Sequence, residues 1–236
     1  MEFVELCYRR LTGAGRALTP HDYIDWADQL LVQNSDSASI AQLASCAWDT
    51  PPDAQQVEGL FHDALAELGL ALPADEYDAI KRYAIAFCEQ FLSGAMEPWD
   101  LVREMHDLSE DNQEPYLFRI WTVLYDALVD AHLRVPHSVL FNRVLPLTDD
   151  AACIRRTASQ FIALCSMPLP VKFPSVWRCS ECHAVDEDAA AVADASRTCR
   201  HCGTESASKN MSFFENRDAM IDEFSSPSSA TISATP

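Results

Sequence analysis

The chain has 236 residues, of which 48% are hydrophobic, so it can bury one large core or a core with a smaller module beside it. Only 6 residues are glycine, which disfavours an all-β protein built on many tight turns. The formal net charge of −19 disfavours direct nucleic-acid binding, because phosphate backbones attract proteins through Lys and Arg.

Apolar residues at helical spacing dominate residues 1–167 and predict eight or nine amphipathic helices, with Leu31 and Tyr77 among the inward-facing residues. No strand-like alternation precedes residue 171, and no fixed-period repeat is present. The predicted fold class is mainly α, an irregular helical bundle or stacked helix pairs. The predicted helix boundaries lie at Gly13, Thr19-Pro20 with Asp22, Pro51-Pro52, Asp53, Gly69, Pro73, Gly94, Pro98, Pro115, Thr148 and Pro168, with a further helical turn around 139–144.

Changes in composition predict the domain organisation. An acidic helical domain spans 1–167, and the proline-rich stretch 168–178 is expected to be an extended linker. A cysteine-rich module spans 179–205. The segment 206–236 is predicted to be mostly disordered, because five serines and two prolines fall in its last twelve residues; its sequence allows one short helix at 213–224.

The nine cysteines divide into two kinds. Four form two Cys-x-x-Cys pairs separated by sixteen residues. The chain begins without a basic region followed by an apolar run, so we expect no secretory signal, a cytoplasmic location and metal binding rather than disulfides. No stretch is long and apolar enough to predict a membrane span. The other five stand alone on apolar helical faces and are expected to be buried: Cys7, Cys46, Cys88, Cys153 and Cys165.

The paired cysteines predict one structural zinc ion held by Cys179, Cys182, Cys199 and Cys202. Each Cys-x-x-Cys turn presents two thiolates on one tight loop, and two such loops complete a tetrahedral shell. With Trp177 before the first pair and glycine after the second, residues 172–205 resemble the zinc-ribbon family. The resemblance implies the metal but no particular activity, since such ribbons bind nucleic acid, bind proteins or stabilise a chain end.

Three alternatives remain at this site. The run from Cys179 to His183 matches a haem-attachment motif, although that chemistry leaves the second pair unexplained. A thioredoxin-like redox pair requires a βαβ context, which the sequence does not predict. His183 or His201 can also replace one cysteine, because imidazole is a good zinc ligand.

Elsewhere the sequence contains no phosphate loop, nucleophile elbow or zinc-protease motif, and we predict no catalytic residues. Glu104, His106 and Asp107 are interpreted as a solvated helix face. The acidic run Glu110-Asp111-Asn112-Glu114 is interpreted as a loop at a helix start rather than a calcium site, because it lacks the spacing and glycine of such a loop. The pairs Arg9-Arg10 and Arg155-Arg156 are expected to be partners for acids.

The distribution of charge indicates the kind of partner. Residues 1–150 hold 26 acids and 9 Lys or Arg, a balance of −17, whereas 172–205 holds four bases and six acids. Such a surface favours a basic protein partner or imitation of nucleic acid towards a basic groove, and simple solubility is the alternative.

A second resemblance lies in the runs Tyr23–Ala27, Ile40–Ala44 and Val57–Phe61, the last continuing to Leu65–Gly69. Residues 20–70 resemble small acidic helical bacterial proteins, some of which are immunity-type proteins. The resulting hypothesis is a non-enzymatic, protein-binding protein, immunity-like or regulatory, with a structural zinc site. The alternative is a nucleic-acid-associated regulator that uses the ribbon.

Overall fold

The computed structural model describes residues 1–49, 51–113, 115–133, 149–174, 177–179, 181–182, 184–186, 196–207 and 213–225. This described part confirms the mainly α class. Its chain groups into two compact units, Met1–Ala86 and Phe87–Pro236. The helices are α1 (Phe3–Thr12), α2 (Pro20–Val32), α3 (Ala38–Ser45), α4 (Ala54–Leu68), α5 (Glu76–Leu92), α6 (Pro98–Asp111), α7 (Arg119–Leu133), α8 (Asp150–Cys165) and α9 (Phe213–Ser225).

Helices α2, α3 and α4 pack around one hydrophobic core in the first unit. Phe61 of α4 is fully buried at its centre. The rings of Tyr23 and Trp26 meet it edge-on, with centroids 4.9 Å and 5.4 Å away. Such edge-to-face pairs add about 0.5–1.5 kcal/mol each to the gain from burial alone, so they strengthen the contact between α2 and α4.

The helix ends of the first unit follow the predicted signals. Thr19 and Asp22 form a reciprocal capping box at the start of α2, with Pro20 as its first residue. Asp53 caps α4 by accepting hydrogen bonds from the Gln55 and Gln56 backbone N–H groups. At the other end of α4, Gly69 adopts the left-handed conformation (φ +64°) that glycine tolerates best.

Arginines of the first unit pair with acids, as predicted for Arg9-Arg10. The Asp22 side chain is only 1% exposed and lies 2.7 Å from Arg16 and 3.6 Å from Arg9. Arg10 forms a two-pronged pair with Glu58 and also donates to the Tyr23 hydroxyl at 2.8 Å. These pairs join α1 to α2 and α4.

In the second unit α6 packs against α7 and α8. Trp121 and Phe118 are fully buried and place their rings edge-on to Phe161 of α8, with centroids 5.7 Å and 5.2 Å away. Arg155 lies over the ring of Phe91 at 5.1 Å, while Arg156 pairs with Asp218 of α9. The expectation that Arg155-Arg156 meets acids therefore holds for Arg156, whereas Arg155 has an aromatic partner.

Four local predictions are corrected. Tyr77 is 41% exposed and does not face inward. It lies in the first turn of α5, and the Lys81 ammonium lies 5.2 Å from the centroid of its ring. Leu31 is 36% exposed at the end of α2. The helix after Pro73 begins only at Glu76, and α8 is capped by Asp149, whose carboxylate accepts from the Ala152 backbone N–H.

The acidic run before Pro115 is also corrected. Glu110 and Asp111 belong to the last turn of α6 and do not start the next helix. Acids at a helix C-terminus face the negative end of the macrodipole, so their position is unfavourable for α6. Glu114, Thr148 and the turn predicted at 139–144 lie outside the described residues.

Phe173, in the stretch expected to be an extended linker, contributes to packing. Phe173 is 1% exposed, and its ring centroid lies 6.3 Å from that of Phe213 at the start of α9. Helix α9 coincides with the short helix allowed by the sequence at 213–224. The predicted domain boundaries and the predicted disorder elsewhere in 206–236 stay predictions. None of the described helices is long and apolar enough to cross a membrane.

Candidate metal centre

Two short hairpins carry the four predicted ligands. Strands β1 (Trp177–Arg178) and β2 (Val185–Asp186) pair antiparallel, with Trp177 opposite Asp186. Strands β3 (Ser196–Thr198) and β4 (Glu205–Ala207) pair in the same way, with Thr198 opposite Glu205. Each Cys-x-x-Cys pair lies in the turn that joins its two strands.

Both turns use the same backbone hydrogen bond. The Cys179 N–H donates to the Ala184 carbonyl at 3.0 Å, and the Cys199 N–H donates to the Thr204 carbonyl at 2.9 Å. In each turn, the first cysteine is thus tied to the residue five positions later. The second turn also closes through the Gly203 N–H, which donates to the Cys199 carbonyl at 2.9 Å. Gly203 has φ +72°, which explains why glycine follows this pair.

The sulfur atoms converge at a spacing that suits a metal. The four Sγ atoms all lie within 4.8 Å of one another. Between the turns, Cys179 and Cys202 are 3.7 Å apart, and Cys182 and Cys199 are 3.6 Å apart. Sulfurs bound at about 2.3 Å to a tetrahedral zinc ion lie about 3.8 Å from one another, whereas a disulfide requires about 2.05 Å. The arrangement therefore could hold a metal ion and contains no disulfide.

The four cysteines of the cluster differ in their exposure to solvent. Cys179 and Cys199, the first cysteines of each pair, are buried, while Cys182 and Cys202 are exposed. The backbone hydrogen bond near Ala184 lowers the pKa of Cys182, but desolvation and the neighbouring thiols outweigh it and raise that pKa to about 12. Hydrogen bonding with Thr204 lowers the pKa of Cys202. Four thiolates this close repel each other, so a bound cation would have to replace protons.

Polar groups outside the four cysteines approach the sulfurs. The His201 backbone N–H donates to Cys199 Sγ at 3.4 Å, and the Thr204 hydroxyl lies 3.4 Å from Cys202 Sγ. Thr204 was not predicted as part of this site. Its signal is the position two residues after the second cysteine, where the hairpin turns the side chain back towards the sulfur.

The alternatives for the site can be compared with this geometry. The His201 side chain does not belong to the cluster of metal-ligating groups, and His183 lies outside the described residues. All four cysteines come together, which a haem attached through one pair does not require. Within the described part of the chain, no other group of three or more His, Cys, Asp or Glu residues has metal-binding spacing.

The remaining five cysteines form no disulfide in the described part of the chain. Cys7, Cys46 and Cys88 are buried, as expected, whereas Cys153 and Cys165 are only half-buried. Burial raises the pKa of Cys7 to about 11, despite the nearby charges of Arg82 and Arg10. Burial also raises the pKa of Cys88 well above its ordinary value. These thiols stay protonated at neutral pH and are poor nucleophiles.

The triplet of Glu104, His106 and Asp107 on α6 does not form a catalytic site. Glu104 and Asp107 are exposed on α6, as predicted for a solvated face. The same prediction is wrong for His106, whose side chain is only 14% exposed. Its ring stacks on Tyr125 with centroids 4.1 Å apart, and its Nε2 lies 3.5 Å from Glu110. The three side chains therefore have separate surroundings.

Comparisons of the chain with protein-family models, curated proteins and solved structures each found no significant match. The resemblance of residues 20–70 to immunity-type proteins thus has no family match behind it and stays a prediction.

Proposed function

We propose that Cys179, Cys182, Cys199 and Cys202 bind one zinc ion whose role is structural. The observation that carries this proposal is the convergence of four sulfurs within 4.8 Å on two matching turns. Four thiolates fill the tetrahedral shell of zinc and leave no position for water or substrate. A closed site of this kind stabilises its hairpins and does not catalyse a reaction, so we propose no enzymatic activity.

We further propose that the protein acts by binding a basic protein, in an immunity-like or regulatory role. Charge supports this proposal. Residues 1–86 contain 14 acids and 5 Lys or Arg. All five cations already have partners: Arg9, Arg10, Arg16 and Arg82 pair with acids, and Lys81 lies over the Tyr77 ring. The unpaired charge of this unit is therefore negative, which steers a basic partner towards it.

The zinc proposal is tested by measuring metal content. Purified chain should carry about one zinc ion, and Cys182→Ser should lose it because three thiolates bind far more weakly. Cys153→Ser is the matched control, since it removes a half-buried thiol outside the cluster. Equal zinc content in both variants, or covalent haem in the wild-type chain, contradicts the proposal.

The partner proposal is tested by affinity capture from a lysate with and without nuclease. Proteins retained after nuclease treatment should be basic, and salt should weaken their capture because it screens exposed charge. The nucleic-acid alternative predicts that nuclease removes the captured material. That result would overturn protein binding as the primary function.

A further inference from the structure

Trp48 is the most exposed large hydrophobic residue of the described chain. Its side chain is 88% exposed, whereas Trp26 and Trp121 are 2% and 0% exposed. Tryptophan buries more apolar surface than any other residue, so one that remains in water contributes little to folding. Tryptophan is also strongly enriched among the residues that dominate binding energy in protein interfaces.

The backbone around Trp48 is held rather than loose. Trp48 ends a 3₁₀ turn, Cys46–Trp48, whose first residue is buried in the core of the first unit. The Asp49 N–H closes this turn by donating to the Cys46 carbonyl at 3.1 Å, after which the backbone at Asp49 is extended. The two prolines that follow, Pro51-Pro52, restrict the chain further. The indole is therefore presented from a fixed base, which lowers the entropy cost of binding.

Two acids, Asp49 and Asp53, follow the indole closely in the chain. Asp49 is exposed and has no ion-pair partner among the described residues. Asp53 is exposed too, with one carboxylate oxygen engaged in capping α4. We call Trp48 and the two exposed acids Asp49 and Asp53 together the Trp48 loop. Every described Lys and Arg side chain of the first unit already has another partner, so none of them neutralises these acids.

We infer that the Trp48 loop is the docking site for a basic segment of the partner protein, with an Arg or Lys side chain on the indole face and its charge paired with Asp49. The inference rests on the proposed protein-binding function and names the surface that performs it. A cation over tryptophan is the strongest of the cation–π pairs in proteins, and the adjacent carboxylate selects the same charge. Phosphate groups are repelled here, and a second copy of a chain with net charge −19 is repelled as well.

The test uses the full zinc-loaded chain and a fluorescein-labelled hexa-arginine peptide, followed by fluorescence anisotropy in about 0.15 M salt. Trp48→Ala should weaken binding by about fivefold to tenfold, and Trp48→Phe should retain most of the affinity because it keeps an aromatic face. Val32→Ser is the matched control, because Val32 is 83% exposed in the same unit but lies outside the loop. It should leave the affinity unchanged. Circular dichroism and zinc content should be the same for all variants.

Three outcomes overturn the inference. If wild type and Trp48→Ala bind equally while neutral variants of other acids bind less, the protein binds basic partners through another surface, and the proposed function survives. If the wild-type chain does not bind the peptide even at low salt, the basic-partner function fails together with the loop. If sedimentation shows a wild-type dimer that Trp48→Ala dissociates, the occupant is a second copy of this chain.

Discussion

Asp218 of α9 pairs with Arg156 of α8, although 62 residues separate them and the cysteine hairpins lie between. Gln160 donates a second hydrogen bond to the same carboxylate at 3.0 Å. The chain therefore returns to α8 after the proposed zinc site. The hairpins are joined at both ends to elements that contact each other, and α9 is part of the second unit rather than a free tail.

This arrangement predicts that α9 is anchored mainly by its buried residues. Met220 is 1% exposed. Met220→Ala should destabilise the packing of α9 by about 2–5 kcal/mol, because it truncates a core side chain. We expect faster hydrogen exchange in 213–225 and little change in α2–α4. Asp218→Asn should have a smaller effect, because its pair with Arg156 is solvent-exposed. Val171→Ala is the control, since that side chain is 78% exposed. Equal exchange in Met220→Ala and wild type contradicts the prediction.

Asp22→Asn should destabilise the first unit by about 1.5–3 kcal/mol, because it removes a buried charge that accepts several hydrogen bonds. Burial alone raises the pKa of Asp22, but hydrogen bonds from Thr19 and the charges of Arg16 and Arg9 outweigh it and lower that pKa. A lowered carboxyl pKa stabilises the fold above the unfolded value of about 4 and loses this effect as the pH falls through the folded value.

The measurement is urea unfolding of wild type and Asp22→Asn at several pH values. The difference between them should be complete above about pH 5 and should shrink below about pH 4. Asp25→Asn, an exposed change on the same helix, is expected to lie within about 0.5 kcal/mol of wild type throughout. A difference for Asp22→Asn that does not depend on pH would show that its charge has no role.

The position of Asp111 predicts a stabilising substitution. It lies in the last turn of α6, where an acid opposes the helix macrodipole, so Asp111→Asn should raise stability by about 0.3–1 kcal/mol. Asp100 provides the matched control, since it lies in the first turn of the same helix and pairs with Arg103 at 3.0 Å. Asp100→Asn should lower stability. Thermal unfolding of both variants measures the two signs, and a shift in the same direction for both contradicts this explanation.

Thiol labelling should distinguish the two kinds of cysteine. In the zinc-loaded chain, iodoacetamide should modify neither the four ligands nor the buried Cys7 and Cys88, whose pKa values are raised by burial. After chelation, Cys202 should react before Cys179 and Cys199, because it is exposed and hydrogen bonding with Thr204 lowers its pKa. Mass spectrometry of the labelled peptides gives the order. Reaction of Cys88 before Cys202 would contradict it.

Features that depend on neighbours in the chain were predicted well. The capping residues Thr19 and Asp53 and the stop at Gly69 act within one helical turn, so local sequence specifies them. The four cysteines were found because their spacing reflects the chemistry of one ion. The start of α5 was placed too early at Pro73, and the cap of α8 was placed one residue early, because several residues near each start can serve as the cap.

Long-range contacts were not predictable in this way. Nothing in the local sequence shows that Asp22 would meet both Arg9 and Arg16, or that Phe173 in a proline-rich stretch would be buried beside Phe213. The exposure of Trp48 was not predicted either. Helical spacing alone does not show which apolar residues the neighbouring elements leave exposed to solvent.

X-ray absorption at the zinc edge reports the number, type and distance of the atoms around the metal, and so examines the proposed zinc site itself. For the purified full chain, we expect four sulfur neighbours at about 2.3 Å and no nitrogen or oxygen bound to the metal. A shell with three sulfurs and one nitrogen or oxygen would contradict the closed four-cysteine site, and a chain purified without zinc would contradict the metal centre itself.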